Sequence, residues 1–188
     1  LFRSLDHFKR LDLVTLVSRS QIPFWTSLLG SNKVAYTPHG VDTNYFSPPG
    51  SPSPRDRCRC LFIGCHERDF ESLSEVISRV LAADPRAEFL MLSRDPRCGT
   101  LAAGHKRTTW HRRVCEEEYI ALLRSSDLLV LPLIRSTFNN AVLEAMACGL
   151  PVITTHGGIE DYLDNRSSLT FPVGDARGMS DAVIRLLA

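Results

Sequence analysis

From Cys60 onward, the chain alternates between two patterns of apolar and polar positions. Short apolar runs such as Leu128–Leu131 contain no polar residues, which is typical of strands buried on both faces of a parallel sheet. Segments such as Phe70–Ala83 repeat apolar residues every three or four positions, as a helix with one buried face does. Strands alternating with helices predict an α/β fold with a Rossmann-like, doubly wound parallel sheet.

The predicted elements follow this alternation to the end of the chain. Strands are expected at 60–64, 88–93, 108–111, 128–132, 151–155 and 169–171, and helices at 70–83, 116–125, 139–148 and 176–187. Upstream, we expect a strand at 11–18, a helix at 21–30 and a strand at 34–36. The stretch 47–54 is rich in Pro, Ser and Gly and lacks periodicity, which predicts a linker.

Composition narrows the possible partners and the compartment. The 188 residues carry a formal net charge of +1, so no overall field attracts nucleic acid or an anionic membrane, and we expect no nucleic-acid partner. Six cysteines without paired spacing predict free thiols and a cytoplasmic location. A zinc cluster of Cys58, Cys60, Cys65 and His66 fits no common structural spacing, so we expect no metal site.

Ligands bind such sheets at the carboxyl ends of the strands, where loops and helix N-termini converge. Gly64 ends the first strand of the regular region, and Arg68 follows before helix 70–83. A guanidinium at this place suits phosphate oxygens. The simpler alternative is a surface ion pair of Arg68 with Glu67, Asp69 or Glu71.

The helix predicted at 139–148 carries Glu144 as its one charged residue. A solvated glutamate would explain it, but a carboxylate can also accept both hydroxyls of a vicinal diol such as a nucleotide ribose. The N-terminus of this helix favours a diphosphate, although side chains there could simply cap the helix. The residues of this turn are Ser136, Thr137, Phe138, Asn139 and Asn140.

Several of these segments, in this order, resemble family 4 of the glycosyltransferases over nearly all of residues 11–188. The resemblance lies in Pro38-His39-Gly40-Val41-Asp42 and in the segments 64–69, 126–132 and 140–155, and it is most specific in 142–152, VLEAMACGLPV. It implies the GT-B fold, in which two Rossmann-like domains flank a cleft. Residues 1–45 would be the tail of the N-terminal acceptor-side domain and the hinge, and residues 46–188 the nucleotide-sugar-binding domain.

The resemblance also implies an activity and its partners. It implies transfer of a sugar from a nucleotide-sugar donor to an acceptor, with retention of anomeric configuration and without a metal or other cofactor. The sequence identifies neither the acceptor nor the catalytic residues. Most of the N-terminal Rossmann-like domain would be missing, so we expect this chain alone to be inactive, and any peripheral membrane association to run through that missing half.

Individual site residues follow from the same resemblance. Glu144 matches the second of two family glutamates and would contact the ribose, whereas Ser136 stands at the first, near the transferred sugar, and carries no charge. Arg68 matches the cation that neutralises the diphosphate. We also expect donor contacts with less specific support at the hinge, near the base and at a glycine loop: Gly40, Arg113, Val114, Gly157 and Gly158. A pair of glycines is equally typical of an ordinary turn.

Three other functions compete with a transferase. The first is a nucleotide-sugar 2-epimerase of the same fold. The second is a non-catalytic module that binds a nucleotide sugar or a protein partner, which the uncharged Ser136 favours. The third is an unrelated flavodoxin-like domain, because a fold alone does not determine a function.

Overall fold

The computed structural model describes residues 5–50 and 56–188, and in them eight parallel strands form two sheets. The first sheet pairs β1 (Val14–Leu16) with β2 (Val34–Tyr36). The second contains β3 (Cys58–Ile63), β4 (Ala87–Leu92), β5 (Thr108–His111), β6 (Leu128–Leu131), β7 (Val152–Thr155) and β8 (Ser168–Phe171). The strand expected at 11–18 is shorter than predicted, because β1 has only the three residues of β2 to pair with.

Six α-helices connect or flank these strands in the described residues. They are α1 (Ile22–Leu29), α2 (Phe70–Ala83), α3 (Arg97–Gly104), α4 (Glu116–Arg124), α5 (Asn140–Ala147) and α6 (Ala176–Leu187). The predicted bounds of α2 and α6 agree with the structure, and those of α1, α4 and α5 differ by one residue at one or both ends. None of the helices in residues 5–50 and 56–188 is long and apolar enough to cross a membrane.

The strand order of the larger sheet confirms the doubly wound prediction. Its strands lie in the order β5-β4-β3-β6-β7-β8, so the chain winds outward in one direction from β3 and in the other from β6. All neighbouring pairs are parallel. The carboxyl ends of β3 and β6 therefore form the switch point, beside which open α/β sheets bind ligands.

The core explains why the apolar runs form strands. All four residues of β6 and of β7 are buried, since helices cover both faces of the sheet. Helix α2 buries the stripe Phe70, Leu73, Val76, Ile77, Val80 and Leu81. It also packs against α6, where Arg79 and Asp181 form an ion pair of 3.2 Å. Each buried Leu, Ile, Val or Phe contributes about 1.5–3 kcal/mol, so this layer dominates stability.

Helix α3 was not predicted, and its packing explains why. It buries only Cys98, so it lacks the apolar stripe that marks a helix in sequence. Gly99 lies against the ring of Trp110 on β5, where an added Cβ would come within 2.6 Å of the ring. The indole of Trp110 in turn donates a hydrogen bond of 2.8 Å to the carbonyl of Ser93. This helix forms because a glycine lets it approach a neighbouring strand.

The segment after β1 contacts the loop that follows β7. Ser18 Oγ donates to the carbonyl of Gly158 at 3.0 Å, and the N–H of Arg19 donates to Asp161 at 2.5 Å. The predicted domain boundary between residues 45 and 46 stays a prediction. Residues 1–4 of the predicted tail and residues 51–54 of the predicted linker lie outside the described residues.

Candidate functional site

A cavity of about 840 Å³ opens at the switch point. Its size is within the usual range of small-molecule sites. The loop after β3, the loop before α5, α5 itself and one residue each from α4 and the loop after β7 supply its walls. The lining residues are Ile63, His66, Glu67, Arg68, Tyr119, Arg135, Ser136, Thr137, Phe138, Asn139, Asn140, Ala141, Glu144 and Gly157.

Most predicted donor-binding residues share this cavity. Arg68, Glu144, Gly157 and the whole turn 136–140 line it. Gly64, Arg113 and Val114 line a neighbouring cavity of about 530 Å³, which shares Ile63 and Tyr119 with the first. Of the predicted residues in the described part of the chain, Gly40 and Gly158 line neither cavity.

Arg68 is held by backbone carbonyls. Its Nε donates to the carbonyl of Ile63 at 2.9 Å and its Nη1 to the carbonyl of His66 at 2.8 Å. No ion pair of Arg68 occurs among the described residues, and Glu67 pairs with Arg135 instead. The alternative of a surface ion pair is therefore wrong for this structure.

The surroundings of Arg68 leave its charge free to act in the cavity. Burial lowers the pKa of Arg68 to about 10, so the guanidinium remains protonated at neutral pH. Only two of its five N–H donors meet carbonyls. The group lies against Gly64, where an added Cβ would come within 2.4 Å of Nη2. Gly64 also has a φ of +93°, so the backbone conformation favours glycine, and an added Cβ would have to displace the guanidinium.

Glu144 has a partner that the sequence did not reveal. The hydroxyl of Tyr119, on α4, donates a hydrogen bond to Glu144 Oε2 in the half-buried wall of the cavity. Burial, reinforced by the Glu144 carboxylate, raises the pKa of Tyr119 above its ordinary value, so the phenol stays a donor. The alternative of a fully solvated glutamate is wrong. In the sequence, the one indication of this partner was that Tyr119 directly follows the three glutamates that begin α4.

The N-terminus of α5 lacks a side-chain cap. Asn139 occupies the N-cap position, but its side chain accepts no hydrogen bond from the helix, and Ser136 Oγ donates to the carbonyl of Phe138 at 2.8 Å. By contrast, Asp69 caps α2 and Asp175 caps α6. The proposed alternative, in which this turn serves only to cap α5, is therefore not what the structure shows. The positive end of α5 faces the cavity through Asn140 and its neighbours.

Phe138 lines the cavity next to the segment that follows β2. Its ring stacks on His39 with centroids 3.8 Å apart and meets Tyr162 edge-on at 5.8 Å. The hydroxyl of Tyr162 accepts from the N–H of His39 at 3.2 Å and donates to the carbonyl of Val17. Phe138 therefore links the loop before α5 to the segment after β2.

The glycine loop after β7 already has an internal partner. The N–H groups of Gly157 and Gly158 donate to the carboxylate of Glu160 at 2.8 Å and 2.7 Å. Burial acts to raise the pKa of Glu160, but these hydrogen bonds outweigh it and hold the pKa below its ordinary value. An added Cβ on Gly158 would come within 2.7 Å of the carbonyl of Ser136. Close packing of two loops thus accounts for Gly158, and a ligand contact at this pair stays a prediction.

The neighbouring cavity is rich in arginine. Arg94 follows β4, and Arg112 and Arg113 follow β5, so all three lie at carboxyl ends of strands. Glu116, at the start of α4, lines the same space. The two cavities adjoin each other, because Ile63 and Tyr119 line both, and together they are called the cleft below.

Within residues 5–50 and 56–188, no group of three His, Cys, Asp or Glu side chains is arranged to hold a metal ion. The six cysteines are free thiols. Of the four residues whose spacing argued against a zinc cluster, Cys58 and Cys60 lie on β3, and Cys60 is fully buried.

Comparison with known proteins agrees with this geometry. The profile of a family described as "Glycosyl transferases group 1" matches residues 57–188. N-acetyl-alpha-D-glucosaminyl L-malate synthase of Bacillus anthracis is 38% identical over 74 residues, which cover 38% of this chain and 19% of that protein.

A second relative aligns along most of the chain. GDP-mannose-dependent monoacylated alpha-(1-6)-phosphatidylinositol monomannoside mannosyltransferase of Corynebacterium glutamicum is 25% identical over 203 residues, covering 94% of this chain and 53% of that protein. Sucrose-phosphate synthase of Thermosynechococcus elongatus has a similar fold, with a TM-score of 0.76 and 21% identity over 95% of this chain and 50% of that one. The chain thus spans about half the length, or less, of these proteins.

Proposed function

This chain belongs to the group 1 glycosyl transferases, and on that basis we propose that it supplies the nucleotide-sugar-binding half of a transferase. One observation carries the proposal. Arg68, the uncapped N-terminus of α5 and Glu144 all line a single cavity at the switch point of the sheet. A cation and a helix end suit the diphosphate of a nucleotide sugar, and a carboxylate suits its ribose.

The diphosphate would lie between Arg68 and the first turn of α5. Breaking the bond between sugar and diphosphate builds negative charge on the phosphate oxygens. A guanidinium already fixed by two carbonyls and a fixed helix dipole would stabilise that charge without reorganising. This chemistry needs no bound metal, and metal-independent transfer with retention of configuration is part of the proposal.

The nucleoside would extend toward the neighbouring cavity. Tyr119 orients Glu144 at the junction of the two cavities, where the carboxylate can accept the ribose hydroxyls. The base would then lie near Arg113 and Val114. The relatives named above differ in their sugars and acceptors, so we leave both open for this chain.

The acceptor site belongs to the remainder of the enzyme in this proposal. We propose a second Rossmann-like domain that completes the cleft, and we expect residues 5–188 alone to bind a donor without transferring its sugar. Any peripheral membrane association would involve that second domain.

Calorimetric titration of the chain with UDP, GDP and ADP tests the proposal. At least one should bind, and the corresponding nucleosides should bind much more weakly, because the diphosphate provides the charge that Arg68 and α5 recognise. Absence of binding by all three diphosphates would refute it. Product analysis with the complete protein, a donor and candidate acceptors would distinguish sugar transfer from 2-epimerisation and from binding without catalysis.

A further inference from the structure

Glu67 places a second carboxylate in the cavity, in addition to that of Glu144. Among the described residues it is the one non-glycine residue with a positive φ, +53°. Such a conformation is unfavourable for a residue with a side chain and is found preferentially at functional sites. An asparagine or glycine would satisfy the same turn at lower cost, so the turn alone does not explain a glutamate here.

Contacts from two directions hold the Glu67 backbone and side chain in place. Its carbonyl accepts from the N–H of Ile134 at 2.9 Å, which ties the loop after β3 to the loop before α5. Its Oε1 accepts from Arg135 Nη2 at 3.1 Å. Chiefly through this bond, the pKa of Glu67 lies below its ordinary value, so the carboxylate is charged at neutral pH.

The second carboxylate oxygen remains available. In the described residues, Oε2 of Glu67 accepts no hydrogen bond, and the side chain is only 25% exposed. A free carboxylate oxygen on the wall of a cavity is a strong acceptor for a ligand hydroxyl. Arg135 can donate to the same ligand, since it uses one N–H on Glu67.

The position of this pair along the cleft identifies the part of the ligand it would meet. Glu67 and Arg135 line the first cavity but not the second, which begins at Ile63 and Tyr119. Arg135 adjoins Ser136, whose N–H donates to the carbonyl of Gly157 at 2.8 Å. The pair therefore lies next to the phosphate-binding elements, in the cavity that does not hold the residues proposed for the base.

We propose that Glu67, oriented by Arg135, binds hydroxyl groups of the transferred sugar and thereby selects nucleotide sugars over free nucleotides. This inference rests on the proposed function, because it takes the cavity to hold a nucleotide sugar. Glu67 is a specificity-determining residue in this arrangement, and Arg135 is a positioning residue.

The test compares each nucleoside diphosphate with its sugar conjugate. Calorimetry would measure the dissociation constants of UDP and UDP-N-acetylglucosamine, and of GDP and GDP-mannose, for the 188-residue chain and for Glu67→Gln. The substitution should weaken binding of the preferred sugar conjugate about tenfold and leave its free diphosphate within about twofold. Glu75→Gln, on the exposed side of α2 away from the cavity, should change neither constant.

A second variant separates recognition from folding. Glu67→Gly removes the carboxylate and suits the positive φ, so it should fold at least as well as the parent and lose the same preference for the sugar conjugate. The proposal is overturned if either variant keeps the parental ratio of the two dissociation constants, or weakens diphosphate and conjugate equally. Failure of the parent to bind any diphosphate would instead refute the proposed function, and this inference with it.

Discussion

The hydroxyl of Tyr119 donates a hydrogen bond to Oε2 of Glu144, joining two helices that approach the cleft from different strands. Tyr119 lies on α4, and Glu144 is the one charged residue of α5. The bond restricts the rotamers of the carboxylate before a ligand arrives. It thus lowers the entropy cost of binding a ribose.

Removing this hydroxyl should weaken nucleotide binding. We expect Tyr119→Phe to lower the affinity for the preferred nucleoside diphosphate about threefold to tenfold, because Glu144 loses a hydrogen bond of about 1 kcal/mol that orients it. Glu144→Ala should have a larger effect, since it removes the ribose acceptor itself. Calorimetry measures both. Unchanged binding by Glu144→Ala would contradict the assigned role.

Substitution of Arg68 should act on phosphate recognition specifically. We expect Arg68→Gln to weaken binding of the nucleoside diphosphate about tenfold to a hundredfold, because a charge-assisted contact of about 1.5–3 kcal/mol is lost. Binding of the bare nucleoside should be unaffected. Arg185→Gln, at an exposed position of α6, is the control because it removes the same charge. Equal losses for nucleoside and diphosphate would show that Arg68 supports the fold rather than the phosphate.

Gly64 should tolerate no side chain. Its φ of +93° and the 2.4 Å approach to Arg68 Nη2 both oppose a Cβ, so we expect Gly64→Ala to lower the free energy of unfolding by about 1–3 kcal/mol. It should also displace the guanidinium and weaken diphosphate binding. Urea denaturation measures the first effect. Gly104→Ala, at a position with open space around the Cβ, should be neutral or slightly stabilising.

The bond between Glu160 and the glycine loop should make stability depend on acid pH. The pKa of Glu160 is lower in the folded chain than its ordinary value of 4.5, so the folded state binds fewer protons than the unfolded state. Its contribution is fully present above about pH 4.5 and is lost as pH falls through the folded pKa. The side chain is 45% exposed, which limits the contribution to about 1 kcal/mol or less.

Glu160→Gln checks this dependence. Urea denaturation at about pH 7 should show the variant less stable than the parent, and the difference should shrink toward acid, for example at about pH 3, as the parent carboxyl takes up a proton. The exposed Glu75→Gln should show little difference at either pH. A difference for Glu160→Gln that is the same at both pH values would argue against a titrating contact.

The sequence alone was enough to predict the fold class and most of the elements. Burial on both faces produces a continuous apolar run such as Leu128–Leu131, and burial on one face produces a stripe such as that of Phe70–Ala83. Both patterns are local, so a single sequence is enough to recognise them. The same holds for the location of the cleft, since carboxyl ends of parallel strands meet at one edge of the sheet. Arg68 was predicted for that reason, and Glu144 because it is the one charged residue of an otherwise apolar helix.

Only the tertiary structure decided which groups meet. Tyr119 and Glu144 are 25 residues apart, and their contact depends on how α4 and α5 pack on the sheet. Helix α3 packs on β5 through the close approach of Gly99 to Trp110, and the apolar periodicity of the sequence gives no sign of this contact. Glu67 has its positive φ because two loops pair across the switch point. Local patterns specify which surfaces are buried, whereas the partners of polar groups are set by the distances that packing of the whole chain imposes.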